Sequence, residues 1–274
     1  MRTFRSRRVK AILACFLVVC ASWVFIESFE VMQNNAASLS GWVLLVLVLV
    51  LTLLNARKKL TYPPLLKSST WLQVHIYIGW LGLFVFLIHT SWKLPNGQFE
   101  TIFYVIFLLL AFSGILGVVL TRVLPKQLAS RGSEVIYERI PMFVRQLREQ
   151  AESLVLESVS RKNSAVLSQF YQQRLGGYFS GPIGLSGKIL GKDRPLMDLQ
   201  NELKALYRYL TDDEKEVAER LGIIIETKSD LDFHYVRQGI LKYWLFVHIP
   251  LTYSMLVFTL VHLMLVQVFS RGLS

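Results

Sequence analysis

Two membrane-length apolar segments of this chain each carry two histidines at the same spacing. The pairs are His75 and His89 within residues 71–92, and His248 and His262 within residues 243–269. In both segments the second histidine follows 14 residues after the first. At about 100° per residue, this spacing returns the second side chain to within about 40° of the first, roughly 21 Å further along a helix. Two such helices side by side would present two facing histidine pairs at two depths.

Long apolar segments distinguish the composition of this chain from that of a soluble domain. Of its 274 residues 53% are hydrophobic, and the excess is concentrated in residues 11–26, 39–54, 71–92, 102–124 and 243–269. A spanning helix needs roughly 17–25 mostly apolar residues. We therefore predict an all-α fold, a multi-pass transmembrane helical bundle of about five spans. Its parts are a membrane part with four spans (1–124), a small helical cytoplasmic domain inserted before the last span (125–240), and the last span (241–274).

The distribution of positive charge predicts the orientation in the membrane. The net charge is +11, and basic residues precede the first span and separate the second span from the third. Because basic residues concentrate on the cytoplasmic side, we place the chain in the inner (plasma) membrane with its N-terminus cytoplasmic. Nucleic acid is not an expected partner, whereas membrane lipid is. The basic start and first apolar block also resemble a cleavable secretory signal, and that alternative stays open.

This orientation also predicts which histidines face each other. One return crossing lies between the third and last spans, so these two spans run parallel. His75 and His248 then share the inner leaflet, and His89 and His262 share the outer leaflet. The second span offers no polar atom to a ligand and is interpreted as a packing or lipid-facing helix.

The segment 125–240 has no membrane-length apolar run and nearly balanced charge. The pattern predicts helices at Glu134–Val159, kinked at Pro141, and at Pro195–Leu210, with a glycine-rich loop from Gly176 to Gly191 between them. A capping box, Thr211–Glu214, predicts the start of a third helix that ends near Gly222. In this segment His234 is interpreted as a surface or interfacial histidine, with proton exchange at the inner surface as the functional alternative.

Histidines in hydrocarbon are costly and therefore indicate function. Neutral imidazole ligates iron, zinc or copper, but zinc usually takes three or four protein ligands close together. Two sites of two histidines each fit six-coordinate haem, whose porphyrin supplies four further nitrogens. No CxxCH motif for attached haem is present. We therefore expect two haem b groups as cofactors, with a quinone as a further candidate.

Further residues suit the surroundings of such groups. Gly82 lies seven residues from both His75 and His89, where its missing side chain suits either a flat macrocycle or close helix packing; Gly79 lies one turn earlier. Basic residues near the membrane faces suit haem propionates, or are ordinary interfacial anchors. They are Arg122, Arg237 and Lys242 inside and Lys93 outside.

Paired H-x13-H helices resemble the di-haem b-type cytochromes, such as the cytochrome b of quinol–cytochrome c oxidoreductases and the ferric reductase transmembrane domain. The resemblance implies that His75, His248, His89 and His262 are the axial haem ligands. It also implies electron transfer between a quinone pool and another redox subunit, a cytochrome c or an iron–sulfur protein. We see no FAD- or NAD-binding motif, so we expect a subunit of an oxidoreductase complex. The alternatives are a membrane anchor or docking subunit, and a histidine-based proton channel or transporter.

Overall fold

The computed structural model describes residues 20, 36–59, 68–131, 135–162, 165–181 and 194–271. Every regular element within these residues is helical, which confirms the predicted all-α class. The chain divides into two compact units, residues 1–118 with 245–274, and residues 119–244. The limits of the second unit lie a few residues from those predicted for the inserted domain, whose cytoplasmic location stays a prediction. Apart from Cys20, the predicted first span (11–26) lies outside the described residues.

Among the described residues, four helices carry the apolar segments of the first unit. They are α1 (Ala36–Lys59), α2 (Ser68–His89), α3 (Gln98–Leu128) and the last part of α7 (Asp212–Arg271). Three helical stretches are long and apolar enough to cross a membrane, namely Ser69–His89, Gln98–Leu128 and Asp212–Phe269. In α1 the apolar stretch is shorter, Ser38–Leu53. These stretches suggest a membrane protein; the predicted total of five spans stays a prediction.

The first unit buries few of its large side chains. In its interior α1 packs along α2, and one apolar cluster joins Leu44, Val85, Phe86, Phe107 and Met255. The rings of Phe86 and Phe107 are stacked, with centroids 3.7 Å apart. Many other apolar side chains point outward, for example Phe112 and Phe246. An apolar surface of this extent suits contact with lipid.

A tight turn ends α2 directly after His89. Ser91 and Trp92 adopt left-handed backbone angles, with φ of 50° and 58°, which cost L-residues roughly 1–2 kcal/mol each. The amide of Trp92 donates to the carbonyl of Leu87 over 3.2 Å, so the chain folds back over the last turn of α2. His89 is thereby the last residue of α2, and a short connection leads to Gln98, where α3 begins.

The second unit, residues 119–244, has an apolar core of its own. Its described elements are the last part of α3, a 3₁₀ turn (Tyr137–Arg139), α4 (Ile140–Lys162), α5 (Ala165–Phe170), a π-helical turn (Tyr171–Leu175), a helical turn (Gly176–Tyr178), α6 (Arg194–Leu206), a 3₁₀ turn (Tyr207–Tyr209) and the first part of α7. The largest cluster includes Leu167, Phe179 and Leu221, which are all at most 1% exposed. A smaller cluster joins Ile140, Val144 and Leu231.

Several predicted boundaries in this unit need correction. The helix predicted at Glu134–Val159 begins only at Ile140, so Pro141 lies in the first turn and causes no kink, because its missing N–H has no partner to lose there. Gly176 and Gly177 belong to a helical turn rather than to the predicted loop. Residues 182–193 of that loop lie outside the described residues.

The last predicted helix starts correctly but ends much later than expected. The capping box at Thr211 and Glu214 is confirmed, and α7 begins at Asp212. Gly222 does not end the helix, which continues to Arg271. A Cβ atom on Gly222 would lie 3.7 Å from a Leu203 methyl group. This glycine therefore lies where α6 packs closely on α7.

Candidate functional site

The two outer histidines of the predicted pairs lie next to each other. His89, at the end of α2, and His262, on α7, have ring centroids 6.3 Å apart and ring planes at 89°. Both side chains are half-buried, and His262 also contacts the ring of Phe103 on α3, with centroids 5.4 Å apart. The predicted proximity of His89 and His262 is confirmed, whereas their role as ligands stays a prediction.

This separation suits two ligands of a single metal ion. Two imidazoles on opposite sides of one ion, with metal–nitrogen bonds of about 2 Å, have ring centres roughly 6 Å apart. The 6.3 Å between the rings of His89 and His262 is close to that distance. The two helices α2 and α7 therefore bring their outer histidines to a spacing at which both could ligate one ion.

The inner histidines occupy the same two helices, each 14 residues before its outer counterpart. His248 on α7 is half-buried, and its Nδ1 atom forms a 3.1 Å hydrogen bond with the hydroxyl of Ser113 on α3. The next residue, Gly114, would bring a Cβ atom to 4.0 Å from His248 Cε1. His75 is half-buried on α2.

The outer site repeats this arrangement with a different helix. Ser40 on α1 places its hydroxyl 3.1 Å from His89 Nδ1. The next residue, Gly41, would bring a Cβ atom to 3.1 Å from His89 Cε1, so only glycine fits there without a shift. The prediction that this span offers no polar atom to a ligand is therefore wrong.

Sequence reasoning missed both serines, although a signal was present. A Ser-Gly pair stands in each of two apolar spans, at residues 40–41 and 113–114. Ser40 is 1% exposed and Ser113 is 7% exposed, and a hydroxyl buried among apolar side chains requires a hydrogen-bond partner. Such a serine indicates a nearby polar group, and histidine was the available candidate.

The midpoint between the two histidine levels differs on the two helices. On α2, Gly82 is buried, yet a Cβ atom built on it would meet no atom within 4 Å. A Cβ atom built on Gly79 would likewise meet no atom within 4 Å. On α7, Met255 lies seven residues from both histidines, is 2% exposed and packs with Val85 and Phe86. Among the described residues, no neighbouring helix therefore packs closely on Gly82 or Gly79, and an apolar layer around Phe86 and Met255 lies at this depth of the helices.

The predicted basic residues have ordinary surroundings. In the first unit Lys93 is exposed in the turn after α2. In the second unit Arg122 is exposed, and the Arg237 guanidinium lies 5.3 Å from the ring centre of Phe233. Their contact with propionates stays a prediction, and the interpretation as interfacial anchors remains open.

Lys242 has partners within its own unit. Its Nζ atom lies 3.2 Å from a carboxylate oxygen of Glu138 and 4.6 Å from the ring centre of Tyr137. Two hydrogen bonds lower the pKa of Glu138: the larger effect comes from a backbone hydrogen bond and the smaller from the hydrogen bond with Lys242. Burial, with hydrogen bonding to Tyr235, raises the pKa of Tyr137 to about 12. Lys242 therefore has partners within the second unit, and its contact with a propionate stays a prediction.

His234 is not a surface residue, contrary to the prediction. It is 2% exposed and donates from Nε2 to the carbonyl of Arg131 over 2.7 Å. Its Nδ1 atom is buried without a hydrogen-bond partner among the described residues. The face of α7 that carries His234 also carries Leu231, which packs on Ile140 and Val144. A ring sealed from water in this way is poorly suited to proton exchange at a surface.

The histidine side chains are the groups of this site that could ligate a metal ion. Within the described ranges, no group of three or more His, Cys, Asp or Glu side chains could hold a metal ion. The pair that the structure brings together, His89 and His262, could therefore supply two ligands to a metal ion that takes its other ligands from elsewhere. Neither a protein-family model, nor a curated protein, nor a solved structure matches this chain.

Proposed function

We propose that this protein is a di-haem cytochrome b subunit that carries electrons across a membrane between a quinone pool and a partner redox protein. The observation that supports it best is the 6.3 Å separation of the His89 and His262 rings. Two half-buried imidazoles that lie side by side among apolar helices are costly in hydrocarbon and are candidates for a functional role. The repeated 14-residue spacing extends the same argument to His75 and His248.

The proposal assigns four residues to two haem b groups. His75 and His248 would hold one group, and His89 and His262 the other. Haem supplies a one-electron iron couple, and an iron with two histidine ligands has no open position for a substrate. The residues of this chain would orient the ligands, and the apolar layer around Phe86 and Met255 would exclude water between the two levels.

The orientation in this proposal comes from the charge distribution, and the electron-transfer partners come from the resemblance to di-haem b-type cytochromes. The chain would cross the inner (plasma) membrane several times with a cytoplasmic N-terminus, and residues 125–240 would form a cytoplasmic domain. A quinone would exchange electrons and protons at one face, and a cytochrome c or an iron–sulfur protein at the other. Electron transfer needs both neighbours, because two bis-histidine sites neither take up nor release a substrate.

The reduced-minus-oxidised spectrum of the purified full-length protein in detergent tests the proposal. We expect a b-type signal with two haems per chain. His75→Ala and His262→Ala should each remove one haem, because each removes a ligand of a different pair, and the double variant should remove both. His234→Ala is the matched control, since this buried histidine belongs to neither pair, and it should retain both haems.

Three results would contradict the assignment. A colourless wild-type protein would favour a histidine-based proton channel or transporter. Full haem content in the double variant would mean that other residues bind the haems. Unchanged electron transfer in a variant without the four histidines would favour the role of a membrane anchor.

A further inference from the structure

We propose that Ser40 and Ser113 are positioning residues, each of which orients one histidine ligand of one haem. This inference rests on the proposed function. Each serine holds a single imidazole by its Nδ1 atom, Ser40 that of His89 and Ser113 that of His248, both over 3.1 Å. The two contacts come from different helices, α1 and α3, and reach different levels of the site.

The chemistry of the imidazole makes these contacts directional. One ring nitrogen can ligate a metal only if the other carries the proton, and the hydrogen bond of that second nitrogen decides which one is metallated. With Nδ1 bonded to a serine hydroxyl, Nε2 is the nitrogen left for the iron. In the ligated state Nδ1 would carry the proton and donate it to the serine oxygen, and this contact would fix the rotation of the ring.

The glycine that follows each serine allows this approach. On α1 a Cβ atom at Gly41 would come within 3.1 Å of the His89 ring, which is closer than such atoms normally come. On α3 the corresponding distance from Gly114 to the His248 ring is 4.0 Å, an ordinary contact. The ring of His89 therefore has less space beside its Ser-Gly pair than the ring of His248 has beside its own.

Each haem would then have one serine-held ligand. The held ligand of the inner haem is on α7, and the held ligand of the outer haem is on α2. A hydrogen bond from Nδ1–H to a serine oxygen makes the imidazole a more basic ligand, and a more basic ligand favours ferric over ferrous iron. Loss of either hydroxyl should consequently raise the midpoint potential of one haem and leave the other unchanged.

A redox titration of the full-length protein, in two backgrounds that each retain one haem, tests this inference. In the His75→Ala background only the His89/His262 haem remains, and Ser40→Ala should shift its potential upward whereas Ser113→Ala should not. In the His262→Ala background the effects should be reversed. Retention of the affected haem should also weaken, by about ten-fold.

Conservative and control variants separate positioning from packing. Ser40→Thr and Ser113→Thr keep the hydroxyl and should restore the wild-type potential. Thr52→Ala on α1 removes a hydroxyl that bonds to Leu49 of its own helix, and it should change neither haem. Where an alanine variant loses its haem altogether, retention by the threonine variant supports the inference, and loss in both overturns it.

The outcomes distinguish the two proposals. A wild-type protein without haem refutes the proposed function. Two haems whose potentials are unchanged by both alanine variants, or shifted equally by each of them, refute the positioning role alone.

Discussion

A fully buried charge pair lies in the second unit, on α7. Lys228 Nζ is 2.7 Å from Asp232 Oδ2, and both side chains are 0% exposed. The ammonium group also lies 4.1 Å from the ring centre of Tyr178, whose hydroxyl donates to the carbonyl of Ile225 over 3.2 Å. Burial lowers the pKa of Lys228, against the opposing effect of Asp232, and burial raises the pKa of Tyr178. The lysine charge in this core therefore depends on its carboxylate partner.

Asp232→Ala should destabilise the part of α7 around Lys228 by about 3–5 kcal/mol, because it leaves a buried ammonium group without this counter-charge. Native-state hydrogen exchange of residues 221–231 in the full-length protein measures this loss. Glu216→Ala removes a carboxylate from an exposed pair with Arg220 on the same helix, and it should cost less than about 1 kcal/mol.

The pH dependence identifies the cause of that loss. The folded state lowers the pKa of Lys228 below 10.5, so between the two pKa values the unfolded chain binds more protons and stability rises with pH. In the Asp232→Ala variant this rise should recover part of the lost stability. An equal loss at all pH values would point to packing rather than charge.

The residues of the candidate site differ in how far sequence could predict them. His75, His89, His248 and His262 were found because a spacing of 14 residues is visible along one chain. The contacts of Ser40 and Ser113 were missed because they join residues 49 and 135 positions apart. Similarly, His234 was misjudged because its partner Arg131 lies 103 positions earlier in the chain.

At the level of elements, the start of α7 is defined by a side chain that is itself buried. Glu214 is 5% exposed, and its carboxylate accepts from the amide of Thr211 over 2.7 Å and from the Thr211 hydroxyl over 2.8 Å. The amide of Lys215 donates to the carbonyl of Thr211 over 2.9 Å. One carboxylate thus satisfies two donors at the point where the chain turns into the helix.

Glu214→Ala should loosen the first turn of α7, because both donors of Thr211 lose their acceptor. A loss of about 1 kcal/mol is expected, which corresponds to roughly five-fold faster exchange of the amides in that turn. Glu214→Gln keeps an acceptor and should be close to wild type. Glu226→Ala alters an exposed carboxylate of the same helix, and an equal effect there would exclude a capping role.

The same helix shows where local sequence rules stop. Capping at Thr211 was predictable because all the atoms involved lie within four residues. The end near Gly222 was wrong because a glycine is common at a helix end but is also tolerated inside a helix, often where packing needs the space. Here Leu203 of α6 occupies that side of Gly222, so tertiary packing outweighs the local preference. Pro141 was expected to kink its helix. It does not, because α4 starts at Ile140, one residue before Pro141.

For the whole molecule, the division into two units follows the change in composition along the chain. The apolar helices belong to residues 1–118 and 245–274, and the segment with balanced charge forms residues 119–244. Composition predicted a separate segment at 125–240, whose limits lie a few residues from those of the second unit. It could not predict how far α3 and α7 extend, to Leu128 and Arg271, since the end of a helix depends on tertiary packing.

Labelling of single cysteines tests the orientation predicted from charge. With Cys15 and Cys20 first replaced by serine, Asn96→Cys changes an exposed position in the turn before α3, and Glu149→Cys changes an exposed position on α4. Since α3 is 31 residues long, about 46 Å at 1.5 Å per residue, it exceeds the roughly 30 Å hydrocarbon core. A membrane-impermeant maleimide should therefore label Asn96→Cys in intact cells, and Glu149→Cys only after the membrane is opened.

The two ways in which this labelling can fail have different consequences for the histidine pairs. Reversed labelling would overturn the cytoplasmic placement of the N-terminus and of residues 125–240. It would leave the pairs intact, because inverting a bundle does not change which of its helices run parallel. Labelling of both positions from the same side would mean that α3 does not cross, and α2 and α7 would then not form a transmembrane pair. Two haems at different membrane depths require that α3 separates these two positions.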